Sequence, residues 1–305
     1  MSVFQIGSII RKRREEMGLS QEDLADGICA VPTLSRIENN ERQPTKNHFE
    51  MLMQRLGYSI TSLDYFADKK EFLAHELKIR LRYAYISKDL EAARKYLQEF
   101  EGVVENPTKI DEQFLILYRT LLSQEQLPED EMLQKFDDAL RLTCPKYEEN
   151  RIPHVLSYEE IILLNNIAVR YERTGKIERA IAILYTLKEY YEHRVVSTDE
   201  ALRTQPMVLY NLSKLLGMSG RYDECIAICD LGIRIARTSS RCNALGETLF
   251  NRGWALIQRN LPGDIEAAKL SIKQAYWFAS AMGQMDEVRI FLDFYEKSFS
   301  EKILA

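Results

Sequence analysis

One pattern occurs twice in the chain, as Asn166-Ile-Ala-Val-Arg-Tyr-Glu-Arg-Thr-Gly175-Lys-Ile-Glu-Arg-Ala180 and as Asn211-Leu-Ser-Lys-Leu-Leu-Gly-Met-Ser-Gly220-Arg-Tyr-Asp-Glu-Cys225. Each copy predicts a helix, a turn at a small residue, and a second helix with a small residue that permits close helix contact. A looser copy runs from Asn251 to Ala268, and a weaker one from Arg82 to Ala93. One such hairpin cannot bury its apolar faces alone, so the copies are expected to stack.

Composition narrows the class of protein. The chain has 305 residues, of which 46% are hydrophobic and 29% charged, with a formal net charge of −5. No apolar run approaches the ~18 residues of a membrane span. The five cysteines are an odd number, which argues against a disulfide framework. No apolar segment typical of a signal peptide is found near the N-terminus. We therefore expect a cytoplasmic protein that does not contact the membrane.

The chain is predicted to be all-α, because apolar residues recur at helical spacing and strand signals are scarce. A shift in composition near residue 65 divides it into an N-terminal domain, residues 1–66, and a repeat domain, residues 67–305. A helix over Lys70–Tyr85 is expected to connect the two. The repeats resemble tetratricopeptide (TPR) units, so the second domain is predicted to be an α-solenoid of TPR-like helix hairpins.

A helix-turn-helix pattern lies in residues 6–57. Ser20 is predicted to cap the second helix, with Asp23 completing a capping box. In the third helix Leu34 points inward and Arg36 outward. A short helix with an outward polar face fits a major groove about 12 Å wide.

The segments Leu19–Ala25 and Leu34–Asn39 resemble the phage-repressor (Xre-type) DNA-binding family. Followed by TPR-like repeats, they make the chain similar to the peptide-sensing RRNPP group (Rgg/PlcR/PrgX-type regulators). In that group short linear peptides bind the repeat domain and alter DNA binding. The resemblance, with the outward face of the third helix, implies a set of DNA-binding residues: Gln21, Val31, Pro32, Thr33, Arg36, Asn39, Arg42 and Lys46. Of these, the last three match positions that hold phosphates.

Charge does not by itself predict binding to a double-stranded DNA operator. Residues 1–66 hold eight Lys and Arg against nine Asp and Glu, whereas a basic footprint is typical of nucleic-acid binding. Several carboxylates are expected to point away from DNA, and Glu38 is expected to pair with Arg14. Two copies in a homodimer would double the contacts of one helix-turn-helix unit.

Three asparagines occupy the same place in successive repeats: Asn166, Asn211 and Asn251. An amide offers a donor and an acceptor, which match the backbone of an extended peptide. Arg170 shares the helix face of Asn166, and Lys214 is placed to bind a carboxylate. We therefore predict that these five residues bind a short linear signalling peptide in a concave groove. The alternative is that the asparagines only form bonds within the array.

Enzyme signatures are missing from the sequence. It contains no phosphate-binding loop, no nucleophile elbow and no His-Glu-x-x-His, and the four histidines are scattered without metal spacing. We expect no catalytic activity, no metal and no cofactor. Two other functions remain open: a TPR scaffold that binds protein partners, and a constitutive repressor whose repeats serve only dimerisation.

Overall fold

The computed structural model describes residues 6–56, 69–147, 156–192, 199–239 and 242–303. Within these ranges it contains fifteen α-helices and no strand, which confirms the predicted all-α class. The helices are α1 (Ile6–Glu16), α2 (Gln21–Ala25), α3 (Val31–Glu38), α4 (Lys46–Arg55), α5 (Lys69–Ile86), α6 (Leu90–Val103), α7 (Lys109–Leu122), α8 (Glu129–Thr143), α9 (Tyr158–Arg173), α10 (Ile177–Glu192), α11 (Asp199–Met218), α12 (Tyr222–Ser239), α13 (Leu245–Arg259), α14 (Asp264–Ala281) and α15 (Met285–Phe299). None of these helices is long and apolar enough to cross a membrane.

The chain divides into two compact units. The first comprises residues 1–174 with 194–198, and the second residues 175–193 with 199–305. The first unit therefore contains α1–α9, and the second contains α10–α15. The predicted boundary near residue 66 lies outside the described residues.

Helices α1–α4 enclose a small apolar core made of fully buried side chains: Ile10, Leu24, Leu34, Ile37, Leu52 and Leu56. The predicted capping box is present at the start of α2. The backbone N–H of Asp23 donates to Ser20 Oγ over 3.1 Å, and the backbone N–H of Ser20 donates to Asp23 Oδ2 over 3.2 Å. These two bonds satisfy backbone donors that a helix start otherwise leaves unpaired.

The connecting helix α5 begins one residue before the predicted span and ends one residue after it. Its Leu77 and Leu81 are buried, and it packs on α6. Helix α7 packs on α8, and α8 packs on α9, so the first repeat hairpins follow one another within the first unit.

The second unit consists of successive hairpins. Helix α11 packs on α12, α12 on α13, and α13 on α14, while α11 also contacts α13. Small residues allow the helices to approach closely: a Cβ at Gly253 of α13 would lie 2.5 Å from Ile272 Cγ1 of α14. Helix α15 closes the end of the array, where Phe291 stacks on Phe250 with ring centroids 4.8 Å apart.

Candidate functional sites

Helix α3 presents one outward face. Pro32, Arg36 and Asn39 are exposed and follow one another at helical spacing, while Leu34 and Ile37 are buried beneath them. Within the described part of the chain, the guanidinium of Arg36 has neither a hydrogen-bond nor an ion-pair partner. Helix α3 therefore offers an unpaired positive group on a short, exposed surface. The predicted residues Val31 and Thr33 are half-buried at its start.

A buried ion pair supports this face from below. Arg14 Nε lies 2.6 Å from Glu38 Oε1, and Arg14 Nη2 lies 2.9 Å from Glu38 Oε2. The predicted Arg14–Glu38 pair is therefore confirmed, and this hydrogen bond raises the pKa of Arg14. Gln21 Nε2 also donates to Glu38 Oε2, over 2.8 Å. That bond ties the first residue of α2 to the last residue of α3.

The remaining predicted DNA contacts lie around the end of α3. Asn39 forms the C-cap of α3, and Arg42 follows it in an exposed turn. Lys46 is the first residue of α4, but its side chain lies outside the described structure.

Carboxylates near the helix-turn-helix are partly neutralised. Arg11 pairs with Glu15 at 2.9 Å, and Asp26 pairs with Lys146 at 2.8 Å. Asp23 is engaged in the capping box. Two of these carboxylates, Glu15 and Asp26, are therefore paired with basic side chains, and Asp23 is engaged with neutral donors.

Arg55 joins the helix-turn-helix to the first repeat hairpins. It ends α4, and its guanidinium donates to the backbone oxygen of Asp26 and, over 2.6 Å, to that of Thr143. Its Nη2 also lies 3.2 Å from Oε1 of Glu160 in α9. This junction was not predicted from the sequence.

Glu160 is fully buried and well supplied with donors. Thr143 Oγ1 donates to it over 2.6 Å, and the backbone N–H of Ser157 donates over 2.7 Å. Burial alone raises the pKa of Glu160, but the charge of Arg55 and these donors outweigh burial, so the pKa is lowered. The carboxylate therefore stays ionised beside Arg55.

Gly27 fits against the same junction. It has a φ of +71°, and a Cβ added there would lie only 2.2 Å from the backbone oxygen of Thr143. The positive φ makes a glycine favourable in this turn. Its second role is to let the end of α8 approach the helix-turn-helix closely.

In the first unit, two residues predicted to bind a peptide lie on α9. Asn166 is half-buried, and its Nδ2 donates to the backbone oxygen of Ile162 over 2.8 Å. Arg170 is only 3% exposed and lies 3.0 Å from Glu129 Oε2 at the start of α8. Arg173 pairs with the other oxygen of Glu129, also at 3.0 Å. Arg170 is thus held in an internal ion pair that sequence analysis did not predict.

In the second unit, the predicted residues are Asn211 and Lys214 on α11 and Asn251 on α13. All three are half-buried. Asn251 Nδ2 donates to Ser213 Oγ over 3.1 Å, which links α13 to α11. Within the described residues, Asn251 Oδ1 accepts no hydrogen bond, so it keeps an acceptor available beside its second N–H.

Two family models match the chain. A helix-turn-helix model matches residues 10–63, and the model of the RNPP family C-terminal domain matches residues 132–297. The chain therefore belongs to the RNPP family, and the resemblance found in the sequence is confirmed. No curated protein sequence is significantly similar to it.

Solved structures show the same fold. The chain is similar to Bacillus thuringiensis PlcR in complex with the peptide PapR7 and DNA, at 18% identity and a TM-score of 0.60, over 95% of this chain and 99% of PlcR. It is also similar to ComR from S. thermophilus in complex with DNA and its signalling peptide ComS. There the identity is 16% and the TM-score 0.52, over 95% of this chain and 98% of ComR.

Proposed function

We propose that the chain is a cytoplasmic transcription regulator that binds a double-stranded DNA operator as a homodimer and is controlled by a short linear signalling peptide. Residues 1–66 bind DNA, and residues 67–305 bind the peptide and form the dimer. Membership of the RNPP family supports this function, as do the DNA and peptide complexes of PlcR and ComR. The matched families are transcription regulators, and we propose neither catalysis nor a cofactor.

The outward face of α3 is the observation that carries DNA binding. Arg36 has an exposed guanidinium that pairs with none of the residues the structure describes, and Arg binds guanine O6 and N7 bidentately. Pro32 offers an apolar contact, while Asn39 and Arg42 lie where they can hold phosphates. The internal bonds of Gln21 and Glu38 fix α2 against α3 before DNA arrives.

Peptide binding uses two groups of residues, Asn166 and Arg170 in the first unit and Asn211, Lys214 and Asn251 in the second. An asparagine amide can pair with the N–H and the C=O of a peptide backbone, irrespective of the peptide's sequence. Arg170 binds a carboxylate of the peptide in exchange for Glu129. The exchange does not leave the buried Arg170 without a counter-charge, because the peptide carboxylate takes the place of the Glu129 carboxylate.

Helices α8 and α9 provide the coupling between the two activities. Helix α9 carries Glu160, which holds Arg55, and the proposed peptide residues Asn166 and Arg170. Helix α8 begins at Glu129, the partner of Arg170, and ends at Thr143, which accepts from Arg55. A peptide that displaces Glu129 therefore acts on the same two helices that hold the helix-turn-helix. Control requires the peptide to bind two states with different affinities.

Two selection experiments with the full chain test this proposal, one for DNA and one for peptides. Duplexes are selected from a randomised pool and short linear peptides from a displayed library, and DNA affinity is then measured with and without the selected peptide. We expect an operator with two half-sites about one helical turn or a multiple apart, and a peptide that changes the affinity for it. A selected operator with no effect of any selected peptide favours a constitutive repressor. Failure to select a DNA sequence favours a scaffold.

A further inference from the structure

A pocket lies in the second unit, between α12 and α14. It has a volume of about 580 Å³, and α13 forms its floor. Ligand pockets typically measure ~300–1,000 Å³, so the space suits a small molecule.

The walls of this pocket carry excess positive charge. Arg234 and Arg237 of α12 line it and are exposed, and within the described part of the chain neither has an ion-pair partner. They are three residues apart, so their side chains share a helix face. Arg252 of α13 also lines the pocket, but it pairs with Asp230 at 2.6 Å. The acidic group of the pocket is therefore neutralised, while two guanidinium groups remain free for an anion.

The rest of the lining is apolar. Ile233 of α12 and Leu249 of α13 are buried, and Leu270 of α14 is 59% exposed. An exposed leucine beside two unpaired arginines suits a ligand that has both an apolar body and an anionic group. Burying apolar surface on Leu270 and pairing both guanidiniums would each favour binding.

This pocket is distinct from the proposed peptide residues. Asn251 of α13 turns toward α11, where it donates to Ser213. Its neighbour Arg252 instead bridges α12 and α14, through Asp230 and through Ser271 Oγ at 2.7 Å. The two sites therefore use different sides of α13.

We propose that this pocket binds a small amphipathic anion, with a carboxylate or phosphate held by Arg234 and Arg237 and an apolar chain lying on Leu270, Ile233 and Leu249. Its site is separate from Asn251, the proposed peptide residue of α13. Arginine forms paired charge-assisted hydrogen bonds with both headgroups.

Calorimetry on the full chain tests the proposal with four probes: octanoate, octyl phosphate, octanol and acetate. We expect saturable binding of octanoate or octyl phosphate at one site, and much weaker binding of octanol, which lacks the charge, and of acetate, which lacks the chain. The headgroup that binds more tightly identifies the class of the natural ligand. Equal binding of octanol and octanoate overturns the proposal, as does the lack of saturable binding by both anions.

A matched pair of variants locates the site. Arg234→Gln/Arg237→Gln is expected to weaken binding of the better anion about tenfold or more. Arg289→Gln/Lys302→Gln removes the same charge from exposed residues of the second unit that lie outside the pocket, and is expected to leave the affinity unchanged. Equal losses in both variants overturn the proposal, since they would show only an effect of net charge. Circular dichroism melts check that both variants fold.

Discussion

Arg55 and Glu160 form an ion pair with 3.2 Å between Nη2 and Oε1, although their side chains are only 3% and 1% exposed and 105 positions separate them in the chain. Each charged group also forms further hydrogen bonds. Arg55 donates to backbone oxygens, and Glu160 accepts from Thr143 and Ser157. Such saturation is what a buried pair needs to offset its loss of hydration. The pair therefore fixes α4 to α9 in one geometry.

Breaking this pair is expected to destabilise the chain strongly. Arg55→Gln leaves the Glu160 carboxylate buried without its counter-charge, at a cost of about 3–5 kcal/mol in the free energy of unfolding. Arg55→Met/Glu160→Gln removes both charges and is expected to cost less than Arg55→Gln alone. Urea unfolding of the three chains measures these differences.

An exposed ion pair serves as the control for these variants. Arg11 and Glu15 lie 2.9 Å apart, with each side chain 54% exposed. Arg11→Gln is expected to cost less than about 1 kcal/mol because water already solvates both charges. If Arg55→Gln proves as mild as Arg11→Gln, the junction does not hold the domains together.

Two glycines separate the effect of backbone conformation from that of contact. Gly27 and Gly18 have φ values of +71° and +65°, but only Gly27 has an atom within 4 Å of an added Cβ. Either substitution by Ala is expected to cost roughly 1–2 kcal/mol for the left-handed backbone. Gly27→Ala is expected to cost more, because its Cβ overlaps the Thr143 oxygen. Equal melting temperatures for the two variants would contradict this close approach.

Stability is expected to fall as the pH decreases from about 6.5 toward 4, partly because of His75. Burial, followed by the charges of Arg82 and Lys78, lowers the pKa of His75 from 6.5 to about 4. In this window the unfolded imidazole takes up a proton that the folded one does not, so protonation favours unfolding. His75→Gln is expected to flatten the dependence of the urea midpoint on pH. Parallel curves for the two chains would show that His75 does not contribute.

Arg36→Ala is expected to weaken binding to the selected operator by about 1–3 kcal/mol and to relax preference at one base pair. The reason is the loss of a bidentate contact to guanine. Binding to a panel of single-base variants of the operator measures both effects. Arg289→Ala, an exposed arginine of α15, serves as the control and is expected to be neutral. Uniform weakening on all sequences would place Arg36 at a phosphate instead.

Asn211→Ala/Asn251→Ala is expected to weaken binding of the selected peptide about tenfold or more. Each lost amide costs about 0.5–1.5 kcal/mol, and 1.4 kcal/mol corresponds to one decade of affinity. Calorimetry measures the change, with Gln258→Ala as a control on the exposed side of α13. Unchanged affinity in a folded double variant contradicts the proposed contacts. Loss of folding supports the alternative that the asparagines bond only within the array.

Local features of the fold were predictable from the sequence. The ends of α5, the capping box of Ser20 and Asp23, and the burial of Leu34 depend on residues close in the chain. The Arg14–Glu38 pair spans more residues, but it followed from the resemblance to the Xre-type family. Each of these features follows from a local sequence pattern or from a known family motif.

The junction had no such signal. Arg55 ends an amphipathic helix, where a charged residue is normally solvated, and Glu160 lies in the first turn of α9, where a carboxylate is common. Only the three-dimensional packing of α4, α8 and α9 brings them together. The pairing of Arg170 with Glu129 escaped prediction for the same reason, although the shared helix face of Arg170 and Asn166 was predicted.

The close contact at Gly27 bears on how members of this family can exchange parts. Because the backbone of Thr143 occupies the space of a side chain at position 27, a helix-turn-helix grafted from a relative fits only if it brings a glycine there and an arginine in the place of Arg55. A chimera that lacks either residue meets a steric overlap or an unpaired Glu160. The helix-turn-helix and helices α8 and α9 are therefore expected to change together during evolution, and a designed hybrid must transplant the junction along with the DNA-reading helix.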